Sequence, residues 1–122
     1  MKSGKSIVAE KAYNFSLSII QLYKYLVSEQ KEYVLSKQLL RCCTSIGANI
    51  QEAYGAYSRK EFAVKMSFAY KEARESEYWL NLLLDSNYIE LSDYQERMDL
   101  LKEIIKMLYT IVQTATGKNK SS

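Results

Sequence analysis

Apolar residues recur in steps of three and four along four segments of this chain, and this repeat constrains the fold more than any other feature. In the first segment, from about residue 6 to residue 29, the repeat consists of Val8, Ala12, Phe15, Ile19, Leu22 and Leu26. Residues with this spacing share one face of an α-helix. The segment is therefore predicted to be an amphipathic helix.

The same repeat predicts three further helices, over residues 36–57, 58–85 and 92–115. The second stripe is Leu39, Cys43, Ile46, Ile50, Ala53 and Tyr57. The third is Phe62, Met66, Ala69, Ala73, Ser76, Leu80 and Leu83. The fourth is Tyr94, Met98, Leu101, Ile105, Leu108 and Val112. The chain has no proline and only four glycines, which favours long, uninterrupted helices.

Two capping-box patterns predict where helices begin. In such a box a serine side chain accepts from the backbone N–H three residues on, and a Glu or Gln there reaches back. Ser58 with Glu61 predicts one start, and Ser92 with Gln95 predicts the other.

Glycine and asparagine mark other features of the helices. Gly55 is expected to help end the second helix, and Asn87 marks the turn before the fourth. Gly47 lies in a helix interior, where it costs about 1 kcal/mol relative to alanine. Close approach of another helix is the expected compensation.

Long helices with short connections pack as antiparallel neighbours. The sequence therefore predicts an all-α protein, an antiparallel up-down-up-down four-helix bundle. Residues 1–122 form one domain in this interpretation, with loose tails at residues 1–5 and 116–122. Alternation with a period of two, typical of half-buried strands, is not found.

The composition argues against the common classes of active site. The chain has no histidine, the commonest general base and neutral metal ligand, and no glycine-rich phosphate loop. A hydrolase or metalloenzyme would need a site made of carboxylates alone. We therefore expect no enzyme activity, no cofactor, no metal and no small-molecule substrate. Cys42 and Cys43 are expected to be small buried residues.

No uncharged run approaches the roughly 20 residues that span a bilayer, so a cytoplasmic protein without a membrane partner is expected.

One polar group of residues lies on the second and third helices. Spacing places it along one side of each helix, and its members are Arg41, Ser45, Asn49, Glu52, Glu72 and Glu75. The favoured interpretation is a structural network that fixes how two helices pack, with Arg41 paired to Glu52 or Glu72. The alternative is an acidic metal or ligand site.

Lysines along the third helix and in the two tails are candidate nucleic-acid contacts. They are Lys2, Lys5, Lys60, Lys65, Lys71, Lys118 and Lys120. Lysines near an aromatic side chain can hold a phosphate backbone. Neighbouring glutamates neutralise those on the helix, so a solvated charged face is the alternative.

Residues 78–84 are apolar nearly all round the third helix, and a helix of that kind is buried on every side. A monomeric bundle buries only one stripe, so we expect self-association. The interface candidates are Tyr25, Tyr70, Trp79, Leu82 and Tyr109. The alternative is a monomer whose tyrosines keep their hydroxyl groups in water.

Two blocks of sequence resemble a known family. Residues 35–52, LSKQLLRCCTSIGANIQE, resemble the signature of the bacterial 23S rRNA intervening-sequence proteins, some of them labelled ribosomal proteins. Residues 58–62 and 71–80 are similar to a second block of the family, and so is Phe15. Ala53 departs from the family glycine, which indicates a continuous helical turn there.

The resemblance implies a four-helix bundle, often a homopentamer, encoded within or descended from insertions in rRNA genes. It also implies kinship with the accessory variability determinant of diversity-generating retroelements, a basic pentamer that partners a reverse transcriptase and nucleic acid. The family supplies no catalytic residues. Two functions follow as hypotheses: an RNA- or DNA-associated protein, or an oligomeric scaffold for a protein partner such as a reverse transcriptase.

Overall fold

A computed structural model describes residues 7–117, and these residues form four α-helices. The helices are α1 (Ile7–Ser28), α2 (Leu35–Tyr54), α3 (Arg59–Asp85) and α4 (Leu91–Thr116). Contacts join α1 to α2, α2 to α3, α3 to α4 and α4 to α1, which is the closed ring of a bundle. The predicted all-α four-helix bundle is confirmed.

Neighbouring helices run in opposite directions. Lys11 contacts Glu103 whereas the later Ser18 contacts the earlier Arg97, so α1 and α4 are antiparallel. The connection between α1 and α2 has six residues and reaches at most about 22 Å, less than the roughly 30 Å length of a 20-residue helix. The connection is therefore too short for α2 to run parallel to α1. The two later connections are shorter still, so α3 must also run antiparallel to α2, and α4 antiparallel to α3.

The predicted apolar stripes supply most of the core. All six stripe residues of α1 are buried, as are the first five of α2. In α3 the stripe is buried except for Phe62, which is partly exposed. Adjacent Cys42 and Cys43 are buried free thiols, as predicted. Burial raises the pKa of the Cys43 thiol well above its ordinary value, so it packs as a neutral group.

The fourth stripe needs a correction. Ile104 is fully buried whereas the predicted Ile105 is only partly buried, together with Tyr94 and Val112. Steps of three and of four from Leu101 both stay on one helix face, so the repeat does not fix how α4 rotates between α1 and α3. Tyr57 is also wrong as a core residue, since α2 ends at Tyr54 and the Tyr57 side chain is 98% exposed.

The first capping box is confirmed and the second is wrong. Ser58 caps α3, its Oγ accepting from the Glu61 N–H at 3.0 Å. By contrast, α4 begins at Leu91 with Glu90 as its cap residue and no side-chain cap bond. Ile89 is buried and the cap residue comes two positions before the predicted Ser92, so Ser92 already lies in the first turn.

The remaining turn signals have clear geometric outcomes. Asn87 adopts a left-handed φ of 68° after α3, and Tyr88 N–H donates to the Leu83 carbonyl in a Schellman arrangement. Gly55 is the residue that follows α2, as predicted. At Gly47 an added Cβ would lie 3.8 Å from Ala12 Cβ, an ordinary contact, so the approach of α1 does not require glycine.

Replacing Ser58 with alanine should lower the free energy of unfolding by about 1 kcal/mol, because the Glu61 N–H loses its cap. Urea denaturation followed by circular dichroism measures the change. Ser92→Ala is the matched control and should cost less than about 0.5 kcal/mol, since Ser92 caps nothing. Equal losses in the two variants would contradict this assignment of helix starts.

Candidate functional site

The polar residues predicted on α2 and α3 meet around one carboxylate. Arg41 Nη2 donates to Glu75 Oε2 at 2.6 Å, and Trp79 Nε1 donates to the same oxygen at 2.8 Å. Arg41 Nη1 also approaches Glu72 Oε1 at 3.4 Å. We call Arg41, Glu72, Glu75 and Trp79 the Arg41 network. Its carboxylates are already occupied by donors, and the indole ring is held in one orientation.

The other predicted members of that group do not join the Arg41 network. Ser45 Oγ donates to the Arg41 carbonyl, and Asn49 Nδ2 donates to the Ser45 carbonyl, so both bond along their own helix. Glu52 pairs with Lys65 at 2.8 Å, and the proposed Arg41–Glu52 pair is wrong. Among the described residues, α2 is therefore joined to α3 by the Arg41 network, by the Glu52–Lys65 pair near the end of α2, and by a buried hydrogen bond from Ser76 Oγ to Cys42 Sγ at 3.3 Å.

The lysines predicted to contact nucleic acid differ in whether a carboxylate already pairs with them. Lys65 is engaged with Glu52, and that hydrogen bond raises the pKa of the Lys65 ammonium. Lys60 and Lys71 are exposed on α3. Lys2, Lys5, Lys118 and Lys120 lie outside the described residues. Among the described candidates, Lys60 and Lys71 are thus better placed than Lys65 to meet an anion.

The five predicted interface residues are spread over different faces. Trp79 belongs to the Arg41 network between α2 and α3, whereas Tyr70 and Tyr109 pair across α3 and α4 with ring centroids 6.1 Å apart. Tyr25 lies near the bundle end, where its hydroxyl accepts from Gln30 Nε2 at 2.6 Å. Leu82 is partly buried. The structure does not gather them into one patch.

Two grooves lie on the described surface of the bundle. One groove of about 310 Å³ between the start of α3 and the end of α4 is mostly apolar, with Phe62 and Ile111 in its walls. Another, of about 370 Å³, lies between the connections at the opposite end and is lined by Tyr25, Asn87 and Tyr88 among others. Within residues 7–117 no three His, Cys, Asp or Glu side chains come together as a metal site requires.

Charge is distributed unequally between the two ends of the bundle. We call the end with the α2–α3 connection the turn end; its residues 7–13, 50–66 and 104–117 include five basic and three acidic side chains. Residues 22–38 and 82–97 at the opposite end include four basic and six acidic ones. Both described chain ends, Ile7 and Gly117, also lie at the turn end, next to the lysine-containing segments.

Sequence reasoning missed two residues of the turn end. Tyr57 was predicted to be a core residue, and Arg59 was not considered as a contact. Tyr57 lies in the four-residue connection between α2 and α3, and Arg59 is the first residue of α3. Once α2 is known to end at Tyr54, the sequence from Tyr57 to Lys60 indicates an exposed turn that places an aromatic ring beside two cations.

Comparison with known proteins identifies the relatives of this bundle. The profile of the 23S rRNA-intervening sequence proteins matches residues 4–110. The chain belongs to this family. A crystal structure of a protein of unknown function, from the S23 ribosomal protein family of Bacteroides thetaiotaomicron, is 48% identical and superposes with a TM-score of 0.86. That match covers 88% of this chain and 99% of the other.

The family assignment confirms the resemblance read from residues 35–52 and 58–80. A comparison with curated proteins finds no significant match. The family match and the similar crystal structure therefore support the fold, and the chemistry has to be argued from the residues of this chain. No helix in the described part of the chain is long and apolar enough to cross a membrane.

Proposed function

We propose that this intervening-sequence protein is a non-enzymatic, cytoplasmic, nucleic-acid-associated protein that contacts the phosphate backbone with its turn end. The separation of charge along the bundle carries the proposal. Basic residues exceed acidic ones at the turn end, and the order is reversed at the opposite end. An electrostatic field of this form orients the molecule toward a polyanion.

Lysines also flank the described residues in the sequence. In the sequence, Lys5 is two residues before Ile7, and Lys118 directly follows Gly117. Each phosphate neutralised by a lysine or arginine releases a condensed counterion. Several such contacts give binding that weakens steeply as salt increases. The polar groups of the Arg41 network, by contrast, are occupied within the bundle.

Titrating a fluorescent stem–loop from large-subunit rRNA with purified protein, across a salt series, tests the proposal. Binding should weaken by about 0.7 to 0.9 log units per log unit of salt for each phosphate contacted. Several contacts predict a slope of roughly −3 or steeper. A protein that fails to bind at low ionic strength would contradict the proposal.

A homo-oligomeric scaffold for a protein partner is the second candidate, and one observation favours it. Tyr78 is 59% exposed, and its ring lies edge-on to that of Trp79 at 5.1 Å. Exposed aromatic pairs are typical of protein interfaces. In this proposal the chain assembles with copies of itself, as a pentamer by family resemblance, and docks a partner such as a reverse transcriptase without binding nucleic acid.

Replacing Trp79 with alanine should lower the assembly state, because the interface loses its largest aromatic side chain. Light scattering coupled to size-exclusion chromatography measures the mass in solution. Trp79→Phe is the control: it loses the bond to Glu75 but keeps an apolar ring, and should retain the wild-type mass. An unchanged mass for Trp79→Ala would rule out this surface as the interface.

A further inference from the structure

We propose that the turn end recognises single-stranded nucleic acid, with Tyr57 stacking on an unpaired base and Arg59 and Lys60 holding the adjacent phosphates. This inference rests on the proposed nucleic-acid function and names both the contact element and the form of the ligand. Three observations carry it: the exposure of Tyr57, the rigidity of the turn that presents it, and the free cations beside it.

Tyr57 has no packing role in the bundle. Its side chain is 98% exposed, the largest value among the exposed large hydrophobic residues. The nearby Tyr54 behaves differently, because its ring packs against Phe62 with centroids 5.8 Å apart. A fully exposed aromatic ring offers both faces to a flat partner, and stacking on a base is worth about 1–3 kcal/mol.

The turn presents this ring from a fixed backbone. Glu61 Oε1 accepts from the Tyr57 N–H at 3.1 Å, while the Glu61 N–H donates to Ser58 Oγ at 3.0 Å. These two hydrogen bonds connect Tyr57, the residue before the N-cap Ser58, to the first turn of α3. The backbone at Tyr57 therefore needs little ordering when a base binds, which lowers the entropic cost of association.

The two cations after Tyr57 are free to meet phosphate. Arg59 and Lys60 are both exposed, and within residues 7–117 neither forms a salt bridge. The acidic groups nearby are already engaged, Glu61 with the Tyr57 N–H and Glu52 with Lys65. A phosphate beside the turn would thus find cations whose charge is not neutralised by a partner.

Stacking selects single strands over duplexes. In a duplex each base is covered on both faces by its neighbours, so a ring at the tip of a turn can only touch the backbone. In a single strand or a loop the base faces are accessible to an aromatic side chain. Phosphate contacts are made with either form. Loss of Tyr57 should consequently affect the single strand and spare the duplex.

The opposite end of the bundle supplies a matched control. Tyr33 is 55% exposed on the α1–α2 connection, with Lys31 and Lys37 nearby, so it has the same residue types. Acidic side chains outnumber basic ones at that end. Tyr33→Ala therefore removes an exposed tyrosine ring from an end of the bundle with an acidic excess.

The test measures binding of the full chain to a 20-nucleotide single-stranded oligouridine and to a duplex RNA of equal total charge. Tyr57→Ala should weaken single-strand binding about tenfold and change duplex binding less than twofold. Arg59→Ala with Lys60→Ala should reduce the single-strand salt slope by about 1.4, since each lost contact contributes roughly 0.7. Tyr33→Ala should match the wild type on both RNAs.

The outcomes separate this inference from the proposed function. If the wild type binds RNA and both turn variants bind it as tightly, the turn is not the contact and the broader function stands. Equal losses on single strand and duplex for Tyr57→Ala would contradict stacking. If the wild type binds neither RNA at low salt, both proposals fail. Circular dichroism should show all variants folded, because the replaced side chains are exposed.

Discussion

Replacing Glu32 with alanine should lower the free energy of unfolding by about 2–3 kcal/mol, although Glu32 lies in a connection rather than in a helix. Its carboxylate closes the beginning of α2. Oε2 accepts from the N–H groups of Val34 and Leu35 at 3.1 and 2.8 Å, and Oε1 accepts from the Ser36 N–H at 2.7 Å. Chemical denaturation at pH 7 measures the loss.

The size of this effect follows from burial and charge together. Glu32 is only 8% exposed, and Ser36 Oγ donates back to its carbonyl at 2.8 Å. Without the carboxylate, three N–H groups at the helix start lose a charged acceptor, and the negative charge near the positive end of the helix dipole is also lost. Hydrogen bonds to charged groups are worth about 1.5–3 kcal/mol each, less the cost of burying the carboxylate.

The contribution of Glu32 should depend on pH. Burial alone would raise the pKa of the carboxyl, but the N–H donors of Leu35, Ser36 and Val34 outweigh it and hold the pKa below its usual value. A lowered folded pKa means that the stabilisation is complete above the unfolded pKa of about 4.3 and disappears as the pH falls through the folded value. The difference between wild type and Glu32→Ala should therefore shrink below about pH 4.

Glu29 provides the control for Glu32, because it carries the same charge in the same connection but is exposed. Glu29→Ala should change stability by less than about 0.5 kcal/mol. A similar small effect at Glu32 would mean that its carboxylate does not cap α2 in solution.

Replacing Arg97 with alanine is the second large expected effect, about 2–3 kcal/mol of lost stability. Arg97 is 9% exposed on α4, and its Nε and Nη2 both donate to the Ser18 carbonyl of α1, at 3.3 and 3.1 Å. Nη1 donates to the Asp93 carbonyl at 3.0 Å. This guanidinium bridges the two helices that share the fewest contacts in the ring, so its loss should weaken their docking.

Urea denaturation of Arg97→Ala, Arg97→Lys and Lys102→Ala tests this bridge. Lysine can reach one carbonyl but lacks the fork that donates twice to Ser18, so it should recover only part of the loss. Lys102 lies on the same helix and is exposed, with a 3.6 Å contact to Glu77, and its removal should cost at most about 0.5 kcal/mol. Losses for Arg97→Ala no greater than for Lys102→Ala would contradict the role.

The sequence predicted the core of α1 to α3 because a heptad-like repeat maps directly onto one helix face. The Ser58 cap could also be predicted, because its partner, the Glu61 N–H, is only three residues away along the chain. The turn at Asn87 could be predicted for the same reason, because asparagine tolerates the left-handed backbone conformation that ends α3. These features depend on neighbours along the chain and need no knowledge of packing.

Features that depend on packing could not be predicted. Glu32 appeared in an ordinary charged stretch, and its role depends on Lys31 adopting a φ of 55°, which turns the chain and buries the carboxylate. Arg97 is outside the predicted apolar stripe of α4, and only the approach of α1 places the Ser18 carbonyl beside it. In both cases a charged residue is buried because tertiary structure supplies its partners.

The candidate surfaces were predicted in part. Arg41 was correctly assigned to the α2–α3 pairing, but its predicted partners were Glu52 or Glu72, and the shorter contact is to Glu75. The charge difference between the bundle ends could not be predicted either, because residues from all four helices form the turn end. Sequence order separates those residues, and only the antiparallel arrangement brings them together.

The central claim is that nucleic acid contacts the turn end, and ultraviolet cross-linking of the wild-type protein to single-stranded RNA tests it most directly. Mass spectrometry of the cross-linked peptides then locates the contact. We predict cross-links on the peptide that covers residues 55–60, centred on Tyr57. Cross-links confined to residues 29–37 or 85–93 at the opposite end would contradict the account.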